Sequence, residues 1–208
     1  HGGANAFPTS GPLAGDPALI PIHPDEVTNY ETGIKGSLAD GVVQYTLSAF
    51  LMNWDDIQLD TFLGPLSIPS VINASEAQSK GVELELLTRP TDNFSLNFGY
   101  SFVDAELTAD ADLDGDGTAD AFDGEVLPGV SKHTLSIMAD YVYPMGEMGD
   151  LLFHVDGSYR SDFNTTFNAA AGNFASLDGF SIWNASITWD REEFSLGAFI
   201  RNIGDEEG

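Results

Sequence analysis

Apolar and polar positions alternate along eight segments of this chain: Tyr30–Leu38, Gln44–Leu59, Lys80–Thr88, Phe94–Leu107, Thr134–Tyr143, Leu151–Phe163, Phe180–Trp189 and Phe194–Asn202. Successive side chains of a strand point to opposite faces, so this period predicts strands with one apolar and one polar face. Phe94, Leu96, Phe98, Tyr100 and Phe102 oppose Ser95, Asn97, Gly99 and Ser101. Leu135, Ile137, Ala139, Tyr141 and Tyr143 oppose Thr134, Ser136 and Asp140. Leu151, Phe153, Val155 and Tyr159 oppose His154, Asp156, Ser158 and Arg160, and Phe194, Leu196, Ala198 and Ile200 oppose Ser195, Gly197 and Arg201. The gaps between segments alternate too. Ala39–Val43, Arg89–Asn93, Pro144–Asp150 and Asp190–Glu193 are short, whereas Thr61–Ser79, Thr108–His133 and Asn164–Gly179 are long.

The pattern predicts an all-β, antiparallel up-and-down meander of about eight strands, part of a transmembrane β-barrel, with tight turns on one side and long loops on the other. A half-exposed sheet of a soluble protein also alternates. The segments, however, run about 9–16 residues, against ~5–6 in soluble strands and about 9–11 needed to cross a bilayer. Aromatics gather toward the segment ends, at Tyr30, Trp54, Tyr100, Phe102, Tyr141, Tyr143, Tyr159, Phe180 and Trp189, as an interfacial girdle requires. Charge falls on the polar face nearly every time: Glu31, Lys35, Glu83, Glu85, Asp140, Asp156, Arg160 and Arg201. Arg or Lys facing lipid costs about 2–4 kcal/mol at the midplane, so these residues are expected to face a lumen. Ion-pair ladders are expected among Glu31, Lys35, Glu83 and Glu85, with the lining of a substrate path as the alternative. Taken alone, the sheet is expected to be an open half-barrel.

Composition narrows the function. The net charge is −26, from 33 acidic and 7 basic residues, which repels nucleic acid and excludes it as a partner class. There is no cysteine, hence no disulfide framework and no thiolate metal site. No P-loop, nucleophile elbow or His-Glu-x-x-His helix occurs, and no carboxylate pair has a defined partner, so no enzyme activity is expected. Asn73, Asn93, Asn164 and Asn184 each open an Asn-x-Ser/Thr triplet, as turn-rich sequences do by chance. His133 and His154 lack a spacing that pairs them as ligands.

The sharpest local motif runs from Asp112 to Asp123. As a calcium loop it offers Asp112, Asp114, Asp116, Asp120 and Asp123 as carboxylate ligands and Thr118 as a carbonyl ligand, with a glycine at the sharp turn. Asp rather than Glu at the last position is short for bidentate ligation, and no helices flank the loop. The expectation is a structural Ca²⁺ that orders the loop, with a solvated acidic tip as the alternative; no cofactor is required.

Several stretches, in order, resemble one family. Asn29-Tyr30-Glu31-Thr32-Gly33-Ile34-Lys35 is similar to a strand of the TonB-dependent outer-membrane receptors. So are Ala49-Phe50 through Trp54-Asp55-Asp56-Ile57-Gln58, and Asn73-Ala74 followed by Ser79 to Glu85. Gly99 to Ala105, Leu127-Pro128-Gly129 with His133, and Arg201-Asn202-Ile203-Gly204-Asp205 continue the resemblance. It implies a barrel of roughly 22 strands around an N-terminal plug, of which this chain supplies about strands 14 to 21. Residues 1–25, rich in Gly and Pro, read as an irregular extracellular loop, and 26–208 as the barrel portion, a fragment without plug or closing strand.

The resemblance implies a location in the Gram-negative cell outer membrane and contact with its lipid. It also implies a small-molecule nutrient ligand and a TonB–ExbB–ExbD complex acting through the plug. The expected function is TonB-energised uptake of a siderophore, vitamin or oligosaccharide. A passive porin or calcium-ordered surface barrel is the alternative, and a soluble sugar-binding sandwich a third reading.

Overall fold

A computed structural model describes residues 22–63, 68–114, 116–167 and 174–206. Eight strands form one sheet: β1 (Glu26–Leu38), β2 (Val43–Leu63), β3 (Ile68–Thr91), β4 (Phe94–Leu107), β5 (His133–Pro144), β6 (Asp150–Arg160), β9 (Phe180–Arg191) and β10 (Phe194–Ile200). Two short strands, β7 (Phe163–Asn164) and β8 (Ser176–Leu177), form a separate hairpin within the β6–β9 connection. Every pair is antiparallel and the order is β1-β2-β3-β4-β5-β6-β9-β10, so the sheet is an open meander. The helical content among the described residues is two single 3₁₀ turns, at Ala39–Gly41 and Gly146–Met148. The first reverses the chain through positive φ at Ala39, Asp40 and Gly41.

Register turns eight separate alternations into two continuous surfaces. Ile34 lies opposite Leu47, Leu47 opposite Leu84, Leu84 opposite Tyr100, Tyr100 opposite Leu135 and Leu135 opposite Tyr159. Lower on the same face, Leu151 lies opposite Trp189, which lies opposite Leu196. This apolar surface is the lipid-facing one. The other carries Glu31, Lys35, Glu83, Glu85, Asp140, His154, Asp156 and Arg160, as the alternation predicts.

Where an aromatic ring stands beside a glycine on the next strand, the ring covers the backbone. A Cβ on Gly36 would lie 2.9 Å from the Tyr45 hydroxyl, one on Gly81 2.7 Å from the Phe50 ring, and one on Gly157 2.4 Å from the Trp183 ring. Such pairs shield strand glycines and help fix register.

Two expectations change. Much of Thr61–Ser79 is not loop: β2 and β3 stay paired up to Leu63 and Ile68, so this hairpin rises well beyond its neighbours. A bulge with Asp56 at φ 56° separates the lower and upper parts and adds a residue to β2 between Trp54 and Ile57. Trp54 and Phe180 do not join a lipid-facing girdle. Trp54 is opposite Val27 and Ala77, and Phe180 opposite Arg160, which places both rings on the lumen side. Of the expected irregular segment 1–25, residues 1–21 lie outside the described residues, while 22–25 carry no regular structure.

Candidate functional site

The lumen face forms a trough of about 940 Å³. Lys35, Glu85, Asn97, Ser136, Met138 and Asp156 line it from strands β1 to β6. Among the described residues Glu31, Lys35, Glu83 and Glu85 form no ion-pair ladder; Glu83 instead accepts a hydrogen bond from the Ser48 hydroxyl at 3.3 Å. Directly opposed carboxylates and ammonium groups are lacking there, because Lys35 faces Thr46 and Glu83 faces Ser48 and Ser101.

A polar network missed by sequence reading lies farther along the same wall. His154 Nδ1 is 2.6 Å from Asp140 Oδ1 and its Nε2 is 3.2 Å from Asp156 Oδ1. Asn184 donates to the second Asp156 oxygen at 2.7 Å, and its own Oδ1 accepts the Asn202 backbone N–H at 3.0 Å. The network joins β5, β6 and β9 to the residues that follow β10. Its only signal in the sequence was His154 two places before Asp156; the Asp140 contact needed the register that sets Asp140 opposite His154.

Above the apolar band the sheet carries a hydrophobic cluster of its own. Ile57, Ala77, Leu107, Ala111, Ala121 and Phe167 are buried together, with Trp54, Leu59, Ala74, Leu113 and Leu127 packed around them. Leu107 is fully buried. Ala77 and Leu107 point to the lumen side, opposite each other, so the segment after β4 folds inward over the mouth. Backbone bonds pin it: Leu107 N–H donates to Glu125 O, Gly124 N–H to Leu107 O, Leu127 N–H to Ala105 O and Thr108 N–H to Glu76 O. The chain before β1 is fastened to the same block. The Trp54 indole N–H donates to Asp25 at 2.8 Å, and the Gln58 and Asn73 amides both donate to the His23 carbonyl.

The acidic loop projects from this block. One carboxylate oxygen each from Asp112, Asp114 and Asp116 lies within 4.8 Å of the others. Each also accepts a backbone N–H inside the loop: Gly117 to Asp112, Asp116 to Asp114 and Thr118 to Asp116. Asp120 instead accepts the Leu113 N–H, and the Asp123 N–H donates to Asp110. The structure thus gathers the carboxylates of Asp112, Asp114 and Asp116, three of the six expected calcium ligands.

On the outer, lipid-side face a second set of charges starts where the apolar band stops. Phe102 is opposite Val82, and one step farther up Asp104 is opposite Lys80. Asp104 bridges Lys132 at 2.9 Å and Lys80 at 3.4 Å, and Lys80 also reaches Glu106 at 3.2 Å. These groups stand beyond the band. There the Lys132 ammonium, then that of Lys80, holds the Asp104 carboxyl below the ordinary carboxylate range. Hydrogen bonds to Glu106 and then Asp104 raise Lys80. Just beneath, the Tyr100 hydroxyl is 2.9 Å from His133 Nδ1, and the Phe102 and His133 rings are 5.3 Å apart.

Comparison with known proteins fits this architecture. Residues 3–203 match the family described as TonB dependent receptor-like, beta-barrel. The metal-pseudopaline receptor of Pseudomonas aeruginosa is 31% identical over 144 residues, 69% of this chain and 19% of that protein. The pesticin receptor of Yersinia pestis is 25% identical over 206 residues, 98% of this chain and 27% of that protein. Among solved structures, the ferric yersiniabactin uptake receptor FyuA of Yersinia pestis superposes with a TM-score of 0.74 at 20% identity, covering 99% of this chain and 28% of that one. The ferric preacinetobactin receptor BauA of Acinetobacter baumannii gives 0.62 at 20% identity, covering 98% and 28%. The chain therefore spans about a fifth to a quarter of the length of these relatives. Its two-faced meander and its match over nearly the whole sequence place it in one family: this chain belongs to the TonB-dependent receptor-like β-barrels, outer-membrane proteins of Gram-negative bacteria.

Proposed function

We propose that the chain forms part of the barrel wall of an energy-coupled receptor that imports a metal–chelator complex. The observation carrying this reading is the pairing of an unbroken apolar outer face with a charged inner trough, in a chain whose relatives are named as receptors for metal pseudopaline and ferric yersiniabactin. A porin would share the two faces, but nothing in the relatives favours it. The wall's share of the work is to bound the passage, while the block around Leu107 holds the outer segments in one arrangement at its mouth. TonB, acting through a plug, supplies the energy in this reading. We also retain a structural calcium at the Asp112, Asp114 and Asp116 turn as a proposal, supported by the convergence of their oxygens.

The test is uptake of ⁵⁵Fe- or ⁶³Ni-loaded chelates by cells expressing the full-length receptor, with and without functional TonB. Uptake that requires both the receptor and TonB is expected. Uptake that persists unchanged without TonB would favour a passive pore.

A further inference from the structure

We infer that the outer segments between β4 and β5 and between β6 and β9 are clasped together at Arg160 and open only as one body. Arg160 ends β6 opposite Thr134, on the lumen face. A lumen charge of the ordinary kind would meet a carboxylate or water. Among the described residues Arg160 forms no ion pair. Its guanidinium joins the two segments instead. Nε donates to the Ser131 hydroxyl at 3.1 Å and Nη2 to the Gly129 carbonyl at 3.3 Å, both in the β4–β5 segment. Its central carbon lies 4.1 Å from the centre of the Phe163 ring, in the β6–β9 segment. A planar fork with donors on its edge and a face for a ring can serve both sides at once.

Further bonds close the junction. The Ser131 hydroxyl donates to the Ser161 carbonyl at 2.8 Å, and the Ser161 N–H to the His133 carbonyl at 2.8 Å. The His133 N–H donates to the Ser161 hydroxyl at 3.2 Å, and the Gly129 N–H to the Asn164 carbonyl at 2.8 Å. Ser161 is buried, so a shift of one segment alone leaves its polar groups without partners and shut off from water. The same two segments meet again farther along the chain, where Phe167 is buried with Ala111 and Ala121. Two attachments remove the hinge that either segment would need to swing separately. The consequence at the mouth is a single gate: whatever frees one segment frees both. This holds whichever cargo is carried.

Hydrogen exchange on the full-length receptor in detergent, with no chelate added, tests this. Leu127 reports on one segment, since its N–H donates to the Ala105 carbonyl, and Thr165 on the other, since its N–H donates to the Ala175 carbonyl. In the wild type the two should share one opening equilibrium, equal within about two-fold after correction for intrinsic rates. Ser131→Ala changes only the β4–β5 segment, yet it should lower protection at Leu127 and Thr165 alike, by about ten-fold. Protection at Val155, inside the β5–β6–β9 ladder, should not move. Ser131→Thr keeps the hydroxyl and should keep wild-type protection at both positions. Phe163→Ala, made in the other segment, should loosen both again. A loss at Leu127 with Thr165 unchanged would overturn the proposal, because the segments would then open separately. Heat-modifiable migration confirms that each variant barrel has assembled. Should the alanine variants fail to assemble, the wild type decides alone, and unequal opening at Leu127 and Thr165 overturns the clasp. These readouts need no cargo, so their failure is distinct from any failure of metal-chelate uptake.

Discussion

The indole ring of Trp183 covers the backbone of Gly157, its directly opposed partner on the neighbouring strand. Both lie on the lipid-facing surface, where the ring stays exposed among the described residues. The contact is close because glycine leaves the space a side chain would fill.

Gly157→Val should therefore displace the indole and strain the β6–β9 pair. Overpacking of this kind costs about 1–3 kcal/mol. The full-length receptor carrying it is expected to lose its heat-resistant folded band at a lower temperature than wild type. An unchanged transition would show that the ring has room to move aside.

Leu107→Ala opens a cavity in the cluster above the membrane. Large-to-small substitutions at fully buried sites cost about 2–5 kcal/mol. Because the cluster lies outside the apolar band, the expected damage is local. Limited proteolysis should cut within residues 108–127 faster than in wild type, while the barrel keeps its heat-modifiable migration. Loss of the assembled barrel would mean that the outer block and the wall fold as one unit.

The Asp104 bridge should respond to pH in a defined direction. The Asp104 carboxyl lies below its usual value, so its favourable contribution is complete above about pH 4 and fades as pH falls through its own lower value. Lys80 is raised, so its contribution is complete below about pH 10 and fades only at higher pH. The backbone N–H of Val103 donates to the Lys132 carbonyl beside this bridge. Hydrogen exchange at Val103, corrected for intrinsic rates, should stay level from about pH 5 to 9 and rise only in strong acid. A rise near neutrality would place control in another group.

Calcium should slow proteolysis of the acidic loop in the full-length receptor, with an affinity of roughly 10⁻⁴–10⁻³ M. Asp112→Ala with Asp116→Ala should abolish the protection. Identical cleavage with calcium and with chelator would show that the loop's own bonds, such as those from Gly117 and Thr118, order it without the ion.

Much of the wall was legible in sequence because lipid on one face and water on the other force a period of two. Phe94 to Phe102 give both the strand and its outer face without further information. The tight turns were legible for the same reason that they are tight. What failed depended on register. A ring at a strand end reveals its height and not its face, so Trp54 and Phe180 read as girdle residues until pairing placed them inside. The extension Ile68–Ser79 read as loop because Pro69, Asn73 and Ser75 interrupt the pattern, and the bulge at Asp56 breaks the alternation of its partner. The Asp140–His154 contact is invisible before one knows which residues lie opposite. The acidic loop was half legible: ligands spaced by two come together through local turns, whereas Asp120 and Asp123 are positioned by bonds to Leu113 and Asp110.

The buried cluster around Leu107 gives the two ends of the sheet different dependencies on solvent. The wall has lipid for its apolar neighbour, and its stability varies with whatever replaces that lipid. The outer block carries its own apolar neighbours and is indifferent to the exchange. Delipidation should accordingly dismantle the molecule from the periplasmic end upward, leaving the outer block as the last part to lose its shape.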